Sequence, residues 1–158
     1  MSQADQGQQH SPAARNQQGT ETVGYLSILL SGIVTEYIRE VVSPYGLKPI
    51  QFLILDVCSR KEADTVSGIA QILPFDSSAV SRRVEGLRAA GLLRTRRSRE
   101  DRRVVHVELT AEGHELVAEL LEEVKAQGAN HMALLSNSEK KRLIFLMRKA
   151  MESVEEPQ

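Results

Sequence analysis

Between Arg82 and Arg103 the chain carries nine of its twenty Lys and Arg residues, opposed only by Glu85, Glu100 and Asp101. Nine cations against three acids give this stretch +6 in a chain whose net charge is −1. Guanidinium groups at that density, on an otherwise acidic body, suit the grip of a polyanion by one surface. Three hydroxyls, Ser77, Ser78 and Ser81, lie just upstream beside Arg82. Hydroxyls and guanidinium groups are the donors that phosphates and base edges accept, and small side chains let a helix sit deep in a major groove.

Those residues need a scaffold, and the spacing of apolar side chains predicts one. With Asp76 as N-cap, Val80, Val84 and Leu87 fall on one stripe of a helix over 77–90. Ser78, Arg82 and Glu85 fall opposite, with Ser81 at the border, and Gly91 stands where a C′ glycine ends the helix. Upstream, Thr65 caps a shorter helix whose inner stripe is Val66, Ile69, Ala70 and Leu73, broken by Leu73-Pro74-Phe75. Two short helices at a tight turn, the second with a polar, Arg-bearing front, form a helix-turn-helix. After Gly91, residues 92–98 and 103–110 read as two strands joined by the charged tip Arg99-Glu100-Asp101-Arg102. In the second strand Val105, Val107 and Leu109 alternate with Val104, His106 and Glu108. A hairpin in this place is a wing, and an Arg-rich tip suits the negative potential of a minor groove.

The expected contacts follow. Arg82 reads a base edge, assisted by Ser78 and Ser81, and Ser77 is counted among the DNA-binding residues. Arg102 and Arg103 enter the minor groove, with Asp101 orienting Arg103 through a charge-assisted bond. Arg94, Arg96, Arg97 and Arg99 are phosphate candidates, some of them turned to the buried side of the sheet by strand alternation.

The run from Leu73 to Gly113, with Asp101-Arg102-Arg103 followed by Leu109-Thr110 and then Gly113, resembles the multiple-antibiotic-resistance regulator (MarR) family of bacterial winged-helix repressors. Its wing signature is Asp-x-Arg, then Leu-Thr after a strand, then a helix with an early Gly. Gly46-Leu47-Lys48-Pro49-Ile50-Gln51-Phe52 is similar to the start of the family's second helix, and the resemblance covers about residues 22–154. Lys48 departs from a usual Ser/Thr cap, and Gly86 from a usual long polar residue. The resemblance implies repression relieved by a small molecule, commonly a phenolic or other amphipathic organic acid, bound between the dimer module and the winged part. Tyr37, Tyr45 and His131 are candidates to line that crevice.

The rest of the chain fits around this segment. Residues 1–20 hold six Gln and almost nothing to bury, and are expected to be a disordered tail. A long helix over 21–42 carries Val23, Leu26, Leu30, Ile33, Tyr37 and Val41, widened by Ile28, Leu29, Val34 and Ile38, and so needs partners on two sides. Pro49 opens a second helix with Ile50, Leu53, Ile54, Val57 and Cys58 inward. Thr110 caps a helix from Ala111 to near Leu135 whose seam is Leu116, Leu120, Val124 and Met132, widened by Leu121. Ser136 and Glu139 form a capping box for a last helix to about Val154, with Leu143, Leu146, Met147, Ala150 and Met151 apolar.

The fold class is therefore mainly α with a small β-hairpin wing, a winged helix-turn-helix plus a helical dimerisation module of about six helices in all. Residues 21–47 and 111–158 are assigned to dimerisation and 48–110 to DNA binding.

Other classes find little support. There is no apolar run of about eighteen residues for a membrane span. The start MSQADQGQQH lacks the charged-then-apolar pattern of a signal peptide. One cysteine makes no internal disulfide, in keeping with a reducing cytoplasm. Aromatics are 4% with no Trp, too few for a single-strand stacking platform. The four histidines form no helix-spaced cluster with each other or Cys58, so neither metal nor cofactor is expected. No phosphate loop or nucleophile elbow is present, and the Glu122-Glu123 pair reads as a solvated face, so no enzyme is expected. The partners expected are double-stranded DNA, a second copy of the chain and a small-molecule effector, with no membrane. Two rivals remain: a peroxide switch through Cys58, and a winged helix that binds protein rather than DNA.

Overall fold

The computed structural model describes residues 22–155, with side chains as far as Glu152. The expected tail, residues 1–20, lies outside the described residues. The elements are α1 (Val23–Val42), a 3-10 turn (Ser43–Tyr45), α2 (Pro49–Ser59), α3 (Val66–Ile72), α4 (Ser77–Ala89), β1 (Leu93–Arg97), β2 (Val105–Leu109), α5 (Ala111–His131) and α6 (Asn137–Glu155). Among the described residues, six α-helices and one antiparallel hairpin give the fold class expected from the sequence.

The chain divides into two compact units, one ending at Ile33 and one beginning at Val34. In the first, Thr22 starts α1, its Oγ1 accepting from the Tyr25 amide at 3.2 Å. Val23, Tyr25, Leu26, Ile28, Leu29 and Ile33 are all exposed.

In the second unit the core gathers Ile38, Val41 and Val42 of α1 with residues from α2 to α5. Pro49 opens α2, and Gln51 Oε1 accepts from the Lys48 amide at 3.0 Å. That bond supplies half of a capping box, which matters because a lysine side chain has no acceptor to offer. The buried side of α2 differs from the expected stripe. Ile54 and Val57 are buried as anticipated, but with Phe52 and Leu55, while Ile50, Leu53 and Cys58 are only half-buried. The reason is that α2 packs against α4, α5 and β2 together, so more than one stripe is covered. Asp56 is buried there because Arg60 clasps its carboxylate through two nitrogens.

Thr65 caps α3 by accepting from the Gly68 amide at 3.1 Å. Val80, Val84 and Leu87, the expected stripe, are the buried residues of α4. Gly91, at φ +76°, lets the Gly91 amide reach Arg88 O and the Leu92 amide reach Leu87 O, both at 3.0 Å. That bonding pattern is a Schellman stop, and a left-handed residue there is least costly as glycine. Gly86, in contrast, is an ordinary helical position. A Cβ there would meet only Gln51 Nε2, at 3.5 Å. Gly86→Ala is therefore expected to stabilise the protein by about 0.5–1 kcal/mol, seen as a raised melting temperature in a thermal scan.

The hairpin pairs Leu93 with Leu109, Arg94 with Glu108, Thr95 with Val107 and Arg96 with His106. Leu93, Val107 and Leu109 are buried. A contact the sequence did not suggest extends the sheet: Thr65 bridges to His106, and the Val107 amide donates to Asp64 O at 2.7 Å. His106 Nδ1 lies 3.2 Å from Asp64 Oδ2. The loop before α3 is thus bound to the wing, fixing the hairpin against the helix-turn-helix.

Beyond the wing, α5 ends at His131 rather than near Leu135. Residues 132–135 turn back through Ala133 N to Asn130 O and Leu135 N to Met132 O. Its buried residues are Gly113, Val117 and Leu120, so the seam centres on Val117, with Leu116, Leu121 and Val124 at its edges. The capping box forms as expected: the Ser136 amide donates to Glu139 Oε2 at 2.8 Å, and the Glu139 amide to Ser136 Oγ at 3.3 Å. Along α6, Leu143 is half-buried, while Ile144, Phe145, Leu146, Met147 and Met151 are exposed.

Candidate nucleic-acid interface

The front of α4 is built from its N-terminus. Asp76 Oδ1 accepts from the Ala79 amide at 2.8 Å and from the Ser78 hydroxyl at 2.5 Å. The Ser78 bond, then the amide, hold the Asp76 carboxyl below its ordinary range, with the Arg82 charge adding a smaller effect. The cap fixes where Ser77, Ser78, Ser81 and Arg82 project, and all four are exposed. Ser78 has its hydroxyl proton committed to the cap. Ser77, Ser81 and Arg82 have no side-chain hydrogen bond or ion-pair contact among the described residues. The helical period of α4 thus turns these hydroxyls and the guanidinium outward while Val80, Val84 and Leu87 anchor the helix to the core.

At the wing tip the bonding differs from the expected one. Asp101 Oδ1 accepts from the backbone amide of Arg103 at 2.9 Å, not from its guanidinium. The Val104 amide donates to Asp101 O, and Ser98 Oγ accepts from the amides of Glu100 and Asp101. A two-residue reach from an Asp oxygen to a backbone amide is an Asx turn, so Asp101 shapes the loop and leaves the Arg103 side chain free. Arg97, Arg99, Arg102 and Arg103 are exposed and have no ion-pair partner among the described residues.

A second correction concerns the strand arginines. Alternation was expected to bury some of them, yet Arg94, Arg96, Arg97 and Arg99 are all exposed. The hairpin is short, and Leu93, Val107 and Leu109 are the residues it buries in the core. Arg94 differs from the others in being paired: its Nε donates to Glu108 Oε2 at 2.8 Å across the hairpin. Arg88 is likewise occupied by Glu85, at 2.9 and 2.6 Å. Counterion release scales with the cations that reach phosphates. Arg97→Ala is therefore expected to flatten the salt slope of DNA binding by about one unit, whereas Arg88→Ala and Arg94→Ala leave it nearly unchanged. Fluorescence anisotropy across a salt series reads this directly.

The other residues singled out lie apart. The Tyr37 and His131 rings face each other with centroids 4.9 Å apart, and His131 Nδ1 lies 3.0 Å from Gln127 O. Tyr45 instead donates its hydroxyl to Glu119 Oε1 at 2.9 Å, a bond that raises its pKa. Glu119 and His131 are twelve residues apart on α5, about 18 Å along its axis, so the three candidates are not gathered at one point. Cys58 is half-buried, and burial, then the charge of Asp64, push its thiol up to about 11. A peroxide-sensing thiol needs the opposite shift. Among the described residues no group of three or more His, Cys, Asp or Glu side chains could hold a metal ion. No single described helix is long and apolar enough to cross a membrane.

A capped helix pair followed by a hairpin, with the second helix and the hairpin tip carrying the free cations, is a winged helix-turn-helix. A sequence model of the MarR family matches residues 45–104. The chain is 30% identical over 128 residues to the HTH-type transcriptional regulator PecS of Dickeya dadantii, covering 79% of this chain and 76% of PecS. The chain belongs to the MarR family of transcriptional regulators. Solved structures of similar fold include BpsR of Bordetella bronchiseptica, 24% identical with a TM-score of 0.73, covering 83% of this chain and 94% of that one. Another is a MepR–DNA complex of S. aureus, 19% identical with a TM-score of 0.73, covering 85% and 99%.

Proposed function

We propose that the protein is a homodimeric, sequence-specific repressor that binds a pseudo-palindromic operator and is released by a small organic ligand. The observation that carries this reading is the group of exposed cations without an ion pair among the described residues on two adjoining elements, Arg82 on α4 and Arg96, Arg97, Arg99, Arg102 and Arg103 on the wing. Each subunit places α4 in a major groove and the wing tip in the flanking minor groove. Twofold symmetry then sets the half-sites about one helical turn apart. Residues 48–110 act as the DNA-binding part. Residues 21–47 and 111–158 supply the dimer contacts, for which the exposed apolar side chains of α1 and α6 are suited. The protein works in the cytoplasm, where its DNA is.

The ligand reading draws on kinship of fold. DNA binding by BpsR is regulated by 6-hydroxynicotinic acid, and a structure of CouR from Rhodococcus jostii holds p-coumaroyl-CoA. A small aromatic acid near Tyr37 and His131 would act by favouring one spacing of the two α4 helices over another, a differential affinity between two states.

The decisive experiment is to pass fragmented genomic DNA over the purified protein, sequence what is retained, and sediment the protein with and without it. The expected result is a dimer retaining fragments that share an inverted repeat. A stable monomer, or retention of no DNA at moderate salt, would overturn the reading, the latter favouring a protein-binding module.

A further inference from the structure

The turn between α3 and α4 is apolar where it meets solvent. Ile72 is 44% exposed and Phe75 38% exposed, and Pro74 between them is exposed as well. Leu73 is buried and pins the turn to the core, and the Phe75 amide closes it on Leu73 O at 2.7 Å. Phe75 stands at the N′ position of α4 and fully buried Val80 at N4, the spacing of a hydrophobic staple. A staple needs only one side of the ring, and Phe75, 38% exposed, directly precedes the N-cap and the serines Ser77 and Ser78 at the leading end of the helix.

We propose that Phe75, flanked by Ile72 and Pro74, reads the 5-methyl group of a thymine at the edge of each half-site. The proposal rests on the DNA-binding reading above. In helix-turn-helix docking it is the N-terminal end of the second helix that meets base edges, and the residues just ahead of it lie at the same groove. The apolar feature a major groove offers is the thymine methyl, which an aromatic or aliphatic side chain contacts. The outward residues at the leading end of α4, Ser77, Ser78, Ser81 and Arg82, read donors and acceptors and give a methyl little to pack on. The apolar lip ahead of them supplies the missing chemistry. A second copy of the chain is the other occupant such a patch could take.

The test uses a retained operator duplex in which each thymine is replaced in turn by deoxyuridine, which deletes one methyl and nothing else. One position per half-site is expected to lose about fourfold in affinity for the wild type. Phe75→Ala should bind the thymine and uridine duplexes equally. In the wild-type protein, 5-iododeoxyuridine at that position should photocross-link to the peptide containing Phe75, which decides the matter even if the variant folds poorly. The proposal is overturned if no uridine substitution weakens the wild type, if the loss persists in Phe75→Ala, or if the cross-link maps only to another segment. It is also overturned if Phe75→Ala and Ile72→Ala lower self-association without altering the methyl effect. A protein that retains no DNA at all instead sinks the underlying DNA-binding reading.

Discussion

Arg82→Ala is expected to lower operator affinity by about 1–3 kcal/mol and to relax preference at a single base pair while leaving the others intact. Arg82 is exposed, makes no ion-pair contact among the described residues, and sits on a helix held by Val80, Val84 and Leu87. Removing it should therefore leave the fold alone and take away one reader. A guanidinium meets a guanine edge through two parallel donors, a geometry lysine does not reproduce. Arg82→Lys should accordingly fail to restore the base preference although it keeps the charge. Arg103→Ala should behave differently, weakening binding in proportion to the narrowness of the flanking minor groove. Titrating the operator and its single-base variants at two salt concentrations separates these effects. If both alanine variants bind the operator as the wild type does, the docking proposed here is wrong.

The parts of this molecule that could be read in the sequence are those whose determinants are local. Asp76, Thr65, Thr110 and the Ser136–Glu139 pair each cap a helix where the sequence placed them, because a cap needs only a side-chain oxygen two or three residues from a free amide. The stripe of α4 was equally plain, since one side of that helix is covered and the other open. Where several elements share a helix, as around α2, one stripe no longer describes burial. The Val117 seam of α5 was missed because Leu116 and Val117 fit a 3.6-residue period almost equally well, and only packing decides between them. The Asp64–His106 link spans forty-two residues and has no pattern of its own. At the interface the cations were legible as a charge count, but their pairing was not. That Glu108 occupies Arg94 follows from strand register, and that Asp101 bonds a backbone amide follows from the loop's turn geometry.

A second large effect lies away from the interface. Gly113→Ala is expected to destabilise the protein by about 3 kcal/mol, whereas the same chemical change at Gly86 stabilises it. Gly113 is buried in the first turn of α5, and a Cβ there would stand 2.1 Å from the carbonyl oxygen of Leu92 and 3.1 Å from Leu109 Cδ2. The carbonyl cannot retreat cheaply. Leu92 O accepts from the Thr110 amide at 3.1 Å, and Leu92 N is bonded into the Schellman stop of α4. Thr110 ties the same point twice more, its hydroxyl donating to Gly91 O at 2.7 Å while accepting from the Gly113 amide at 3.0 Å. One knot thus joins the end of α4, the base of the wing and the start of α5, and it closes only where a backbone can touch a backbone. Relieving the clash would shift Leu93 and with it the hairpin. The folded fraction of Gly113→Ala should therefore also bind DNA more weakly, although the residue is remote from the proposed contacts. Urea unfolding gives the first quantity and operator titration at constant folded concentration the second. Unfolding midpoints for Gly113→Ala and Gly86→Ala that move in the same direction would show that the close approach at Leu92 does not govern this junction.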